Sequence, residues 1–266
     1  MPTGSTRRKA WVVAVANQKG GVAKTTTVAS LGAAMAEQGR RVLLVDLDPQ
    51  SCLTFSLGYD PESVDGSIHQ VLTGSTPAGE VVIETADGVD LLPATIELAT
   101  AEQLLMTRTG REQVLKTALA PVLGRYDVIL LDCPPTLGIL TTTALTAAHG
   151  VLIPLQCETL SHRGVGQLLD TVHDVKKITN RRLKVIGVLP TLFDARTSHG
   201  RLVLERIGGD YGVPVLEPPI PKSVRFAEAP AVGRSILVTA RNSKGAQAYR
   251  QVASALLNGQ HPVGAN

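Results

Sequence analysis

The chain has 266 residues, 44% of them hydrophobic and 18% charged, with a formal net charge of +3. That length and composition support a substantial buried core and exclude a disordered or fibrous chain. No apolar run reaches the roughly 18 residues of a membrane span without a charge or turn signal. The first apolar run is also too short for a secretory signal, so the sequence reads as a cytoplasmic protein.

Residues 1–10 read as a flexible N-terminus, 11–258 as one domain and 259–266 as a flexible C-terminus. WVVAVA (11–16) reads as a buried strand, followed by the glycine-rich stretch NQKGGVAKTTT (17–27) and a helical pattern over 24–38, closed by Gly39. RVLLVD (41–46) reads as a second strand, and VDLLPA (89–94), YDVILLD (126–132), GVLIPLQ (150–156) and LKVIGVLP (183–190) as further strands. These runs are uniformly apolar rather than alternating, as in parallel strands covered on both faces. Helical patterns fall between them, at 96–106, 111–123, 137–148, 160–178, 197–209 and 244–258. Strand–helix alternation of this kind predicts an α/β fold: a doubly wound, mainly parallel sheet with helices on both faces and its ligand site at the carboxyl ends of the strands.

A strand, a glycine-rich turn, Lys-Thr and a helix together form a phosphate-binding arrangement. Backbone N–H groups of the turn and of the helix N-terminus point at phosphate oxygens. Lys24 is placed for the β- and γ-phosphates and the Thr25 hydroxyl for Mg²⁺. The usual G-x-x-x-x-G-K-[ST] pattern is not met, because Gln18 and Ala23 occupy its two glycine positions; K-G-G-x-x-K-T is met instead. Asp46 and Asp48 follow one apolar strand, and Asp132 ends another. Carboxylates there can hold Mg²⁺ through water or orient an attacking water.

Cys52, Cys133 and Cys157 are odd in number and lack CxxC spacing, so they read as reduced and mostly buried. His162 reads as a surface residue. Charge is unevenly spread: residues 161–250 carry 15 Lys and Arg against 7 Asp and Glu, the remainder 11 against 16. A basic segment of this kind suits a polyanion, provided it clusters in space.

KGGVAKTT, VDLDPQ, LLPA, DCPP and IPKSVRFAEAP, in this order, resemble the ParA/Soj family of partition ATPases, within the deviant-Walker-A group that includes MinD and the nitrogenase iron protein. The resemblance spans roughly residues 11–255. It implies a Mg²⁺-dependent ATPase that forms an ATP-dependent homodimer, binds double-stranded DNA without sequence preference and partitions or positions a chromosome, plasmid or other cargo. Hydrolysis resets the dimer. A ParB-type protein is the implied partner, and the nucleoid the implied location.

By the same resemblance, Lys19 is the signature lysine that reaches the nucleotide of the other subunit. Gly20, Gly21, Val22, Ala23, Lys24, Thr25 and Thr26 line the phosphates, and Pro221 borders the adenine. Asp48 positions the water, Asp46 supports Mg²⁺ or its shell, and Asp132 is the Walker B carboxylate. Arg196, Lys222 and Arg225 contact DNA. The family usually has Gly at Ala23, where a negative φ and retained nucleotide binding are expected, and Gly-Asn at Ser51-Cys52. Alternatives within the group are an orphan relative that positions a protein cargo and a MinD-like membrane-associated ATPase. The sparse basic character of AQAYRQVASALLNGQ speaks against stable membrane association.

Overall fold

The computed structural model describes residues 9–158, 161–194, 196 and 198–259, the side chains of 161, 162, 198, 199 and 201 excepted. The expectations for residues 1–8 and 260–266, and for the His162 side chain, lie outside the described residues.

In chain order the elements are β1 (Trp11–Val15), α1 (Lys24–Glu37), β2 (Val42–Asp46), α2 (Cys52–Ser56), α3 (Ile68–Thr73), α4 (Ala78–Val81), β3 (Ile83–Glu84) and β4 (Asp90–Leu92). Next come α5 (Leu98–Met106), a 3₁₀ turn (Arg111–Gln113), α6 (Val114–Leu119), β5 (Val128–Asp132), α7 (Ile139–Ala147), β6 (Gly150–Gln156), α8 (Ser161–Ile178) and β7 (Lys184–Thr191). The chain continues through α9 (Ser198–Tyr211), α10 (Arg225–Glu228), a second 3₁₀ turn (Ala229–Val232), α11 (Ile236–Thr239) and α12 (Lys244–Leu257).

The strands form one seven-stranded sheet in the order β3-β4-β2-β5-β1-β6-β7. All neighbours are parallel except the two-residue β3, which lies antiparallel on β4. Alternate residues of each strand feed opposite faces, as the strand period of two requires. Val12, Ala14, Ile129 and Leu131 join one apolar cluster with Leu98, Leu140, Leu168 and Val172. Val13, Val15, Leu130 and Leu44 join the other with Leu31, Met35, Tyr249 and Val252. Helices therefore cover both faces, which is why these strands carry no polar alternation.

Two packing details bear on the site. Tyr249 of α12 is fully buried, and its hydroxyl lies 3.0 Å from Thr27 Oγ1 on α1. Arg250 donates to Glu37 at 2.6 and 2.9 Å, a second tie between the same helices. The expected helix over 111–123 is instead the 3₁₀ turn followed by α6, which ends at Leu119, just before Pro121. Proline lacks the N–H that continuation needs.

Candidate nucleotide-binding site

Strand register brings the site together. Val15, the last residue of β1, lies beside Asp132, and Asp132 lies beside Asp46. The glycine-rich loop and both aspartates thus meet at the carboxyl end of the sheet. The loop is pinned to the two strands on its other side. Asn17 Nδ2 donates to the Pro154 carbonyl at 2.8 Å, and Asn17 Oδ1 accepts from the Lys19 N–H at 3.0 Å. Thr191 Oγ1 donates to the Val22 carbonyl at 2.9 Å. Gly21 has φ +74° and would strain any L side chain.

Lys24 opens α1, is only 7% exposed and donates from Nζ to the Lys19 carbonyl at 3.2 Å. Burial pushes its pKa down, and the charge of Asp132 pulls it back up. Thr25 and Thr26 follow in the first turn of α1, both partly exposed.

The aspartates differ in what holds them. Asp46 is fully buried and accepts from the Asp48 N–H at 3.1 Å, the Thr54 N–H at 2.9 Å and the Thr54 hydroxyl at 2.8 Å. Three donors occupy most of the lone-pair sites of a carboxylate, so Asp46 anchors the turn from β2 to α2. Asp132 is equally buried; no close hydrogen bond reaches either of its oxygens, and the Thr25 hydroxyl and the Lys24 ammonium are the neighbours that favour its charged form. Burial, then the nearby Asp46 charge, raises its pKa well above the carboxylate range. A buried carboxylate with no close hydrogen bond to its oxygens beside a buried ammonium is a position that a hydrated Mg²⁺ would complete. Asp48 is half-buried, and its Oδ1 accepts from the Gln50 N–H at 2.9 Å. Among the described residues no group of three or more His, Cys, Asp or Glu forms a metal cage.

Lys19 sits on the outer rim. Its ammonium pairs with Glu158 Oε2 at 2.5 Å, with side chains 37% and 52% exposed. A Cβ built on Gly20 or Gly21 meets nothing within 4 Å, so this face of the loop is open.

Ala23 corrects the expectation of a negative φ. It has φ 65° and ψ 35°, in the left-handed region, as the residue that caps α1. The loop must reverse there to aim its N–H groups inward, and alanine accepts that conformation at a cost of about 1–2 kcal/mol. Ser51 has φ 53°. Both positions where the family usually has Gly are therefore left-handed here. The cysteines are also corrected in part: all three are free, but only Cys133 is buried, Cys157 is intermediate and Cys52 is exposed on the short α2.

The two strings with the expected DNA contacts lie side by side. Phe193 and Pro221 form a parallel bridge, with the Phe193 N–H on the Ile220 carbonyl at 2.9 Å and the Lys222 N–H on the Phe193 carbonyl at 3.1 Å. Pro221 is thus a half-buried residue of this bridge. Arg196 is 89% exposed and grips Asp194 through Nε at 2.9 Å and Nη2 at 2.7 Å. That hydrogen bonding lowers the Asp194 pKa to about 2. Arg225 Nη1 donates to Glu228 at 2.8 Å, while Lys222 is exposed. The structure therefore brings the strings together but leaves both arginines paired with carboxylates.

Sequence reasoning passed over Glu158, Asn17, Thr54 and Glu102. Glu102, on α5, is half-buried, and its carboxyl is pushed up by burial and by Asp48. Asn17 lies in the glycine-rich stretch and Glu158 follows β6 by two residues, but their partners are 137 and 139 positions away. No local pattern reports such contacts.

A parallel sheet wound on both faces, a glycine-rich loop entering α1 with a buried lysine, and a buried aspartate on the next strand define a P-loop nucleoside-triphosphate-binding protein. A family described as an AAA domain matches residues 10–185. Soj from Bacillus subtilis, a sporulation initiation inhibitor protein, is 43% identical over 91% of this chain and 96% of its own length. The chromosome partitioning protein ParA of Myxococcus xanthus is 39% identical over 94% of this chain and 89% of its own. The chain belongs to the ParA/Soj family of partition ATPases. A solved structure described as cobyrinic acid a,c-diamide synthase from Mycobacterium smegmatis, with bound ATP analogue and magnesium, is 56% identical with a TM-score of 0.85, covering 94% of this chain and 95% of that one. Among the described residues no helix is long and apolar enough to cross a membrane.

Proposed function

We propose that this chain is an ATP-driven switch. It pairs with a second copy around Mg·ATP, holds duplex DNA without reading its sequence, positions a chromosome, plasmid or protein cargo, and is reset by hydrolysis. The observation that carries the reading is the fully buried Asp132 carboxylate beside Lys24 and Thr25 at the mouth of the loop. Lys24 and the loop N–H groups hold the phosphates. Asp132 and the Thr25 hydroxyl would hold Mg²⁺ through its water, and the metal would supply charge neutralisation at the phosphates. Asp48 orients the attacking water. Lys19, on the open rim, reaches the partner's nucleotide, where a cation lent from outside stabilises the charge of the transferring phosphoryl group. To do so it must leave Glu158.

Arg196, Lys222 and Arg225 supply phosphate contacts, and a ParB-type protein stimulates turnover. The test is to size the protein with ATP, ADP and no nucleotide, with and without plasmid DNA. A single species in all conditions sinks the reading.

The name of the Mycobacterium smegmatis relative favours a second reading, amide synthesis on a corrinoid carboxylate at the expense of ATP. The same phosphate machinery would serve it. Phosphate release that depends on cobyrinic acid and an ammonia donor, and is indifferent to DNA, would select it.

A further inference from the structure

Parallel strands begin at one end of a sheet and finish at the other, so the residues that open them form a surface of their own. Here that surface lies opposite the phosphate loop. Arg40 precedes β2, Arg125 precedes β5, Lys9 precedes β1, and Arg181 and Arg182 precede β7, in strands ordered β2-β5-β1-β6-β7 across the sheet. All five side chains are exposed. At about 4.8 Å per strand the row is about 19 Å long, a length over which duplex DNA presents on the order of ten phosphates.

Two carboxylates at this end are engaged, while Glu84, opposite Asp90 across β3 and β4, is exposed. Asp127 is clasped by Arg41 at 2.9 Å, and Asp90, at the β4 edge, accepts from the Tyr126 hydroxyl at 2.7 Å. Lys9, Arg40, Arg125, Arg181 and Arg182 form no ion pair among the described residues, nor do Lys176 and Lys177 in the last turn of α8. Asp174, exposed one turn before Lys177, is the acidic residue nearest in sequence to Lys176 and Lys177, and Asp127 follows Arg125 by two positions. The turn that presents Arg181 and Arg182 is firmly held: Asn180 Nδ2 donates to the Leu145 and Ala148 carbonyls at 3.0 and 2.7 Å, and Thr179 Oγ1 lies 2.8 Å from Thr146 Oγ1. Arg196 and Arg225, by contrast, must give up a carboxylate before either takes a phosphate.

We propose that the amino end of the sheet is a second DNA-contacting surface, which takes the phosphate backbone of a duplex through Lys9, Arg40, Arg125, Arg181 and Arg182. One molecule then holds DNA on two separate faces and can bridge two duplex segments. The inference rests on the reading that this chain binds DNA.

The test uses the full chain with ATP and Mg²⁺, a linear duplex and a series of salt concentrations. Bridging is read as capture of a second, labelled duplex by bead-bound DNA. Arg181→Glu/Arg182→Glu is compared with Arg196→Glu/Arg225→Glu. Arg181→Gln/Arg182→Gln serves as the milder version should charge reversal disturb folding. The first pair should flatten the slope of log affinity against log salt by about 1.8 and abolish bridging, while DNA-free ATP turnover stays unchanged. An unchanged slope and intact bridging, with binding lost only in the Arg196/Arg225 variant, overturns the second surface and leaves the DNA reading standing. A wild-type chain that retains no DNA at low salt removes the DNA reading itself. Flotation on anionic phospholipid vesicles that depends on Arg181 and Arg182, with DNA binding untouched, assigns the surface to a membrane and overturns the proposal.

Discussion

Lys24 and Asp132 lie buried at the carboxyl end of the sheet; Arg196 and Arg225 lie in water. The buried pair has few options. A lysine 7% exposed beside a fully buried aspartate with no close hydrogen bond to its oxygens is costly to keep charged, and a ligand that completes the site lowers that cost. The exposed arginines have satisfied partners already, Asp194 and Glu228, and such surface pairs contribute little to stability. Burial therefore restricts what a charged residue can be for, whereas exposure leaves its purpose open until binding is measured.

The largest effect should come from breaking the buried pair. Lys24→Ala removes the ammonium at the mouth of the loop, and ATP affinity measured by titration calorimetry should fall at least about a hundredfold, the worth of charge-assisted hydrogen bonds to phosphate; undiminished affinity would separate Lys24 from the phosphates. Asp48→Ala should slow phosphate release about 10²- to 10⁴-fold while the ATP-bound dimer persists in light scattering. Finding only monomer would remove Asp48 from the water-positioning role. Arg196→Glu with Arg225→Glu should weaken DNA binding and reduce its salt slope by about 1.8 with dimerisation intact. Glu158→Gln releases Lys19 from an exposed pair of about 0.2–1 kcal/mol in each of the two subunits, so ATP-dependent dimerisation in sedimentation should tighten up to about thirtyfold. A weaker dimer would mean that Glu158 assists closure. Smallest of all, Ala23→Gly should relieve about 1 kcal/mol of left-handed backbone strain and raise the melting temperature of the nucleotide-free protein by about 2–4 °C.

Much of this was legible in the sequence because the signals are local. WVVAV and VILLD are apolar throughout, since helices cover both faces of the sheet, and both became strands in the expected places. The loop was readable because phosphate binding demands glycine, lysine and threonine at fixed spacing. The short α2, α3 and α4 and the two-residue β3 went unseen, being too brief for a hydrophobic period to show. Ala23 was misjudged because composition carries no sign of φ: the reversal is imposed by the loop's neighbours, not by the residue. The Lys19–Glu158 contact spans 139 positions and depends on β1 and β6 being adjacent, which only topology decides.

The contact between Thr27 and Tyr249 joins the helix behind the phosphate loop to α12. During synthesis the ribosome releases α1 more than two hundred residues before its partner α12 emerges. Until then Leu31 and Met35 have no α12 to shield them, and the support behind the phosphate loop stays unfinished. The backing of the phosphate loop is thus completed only when α12 docks on α1.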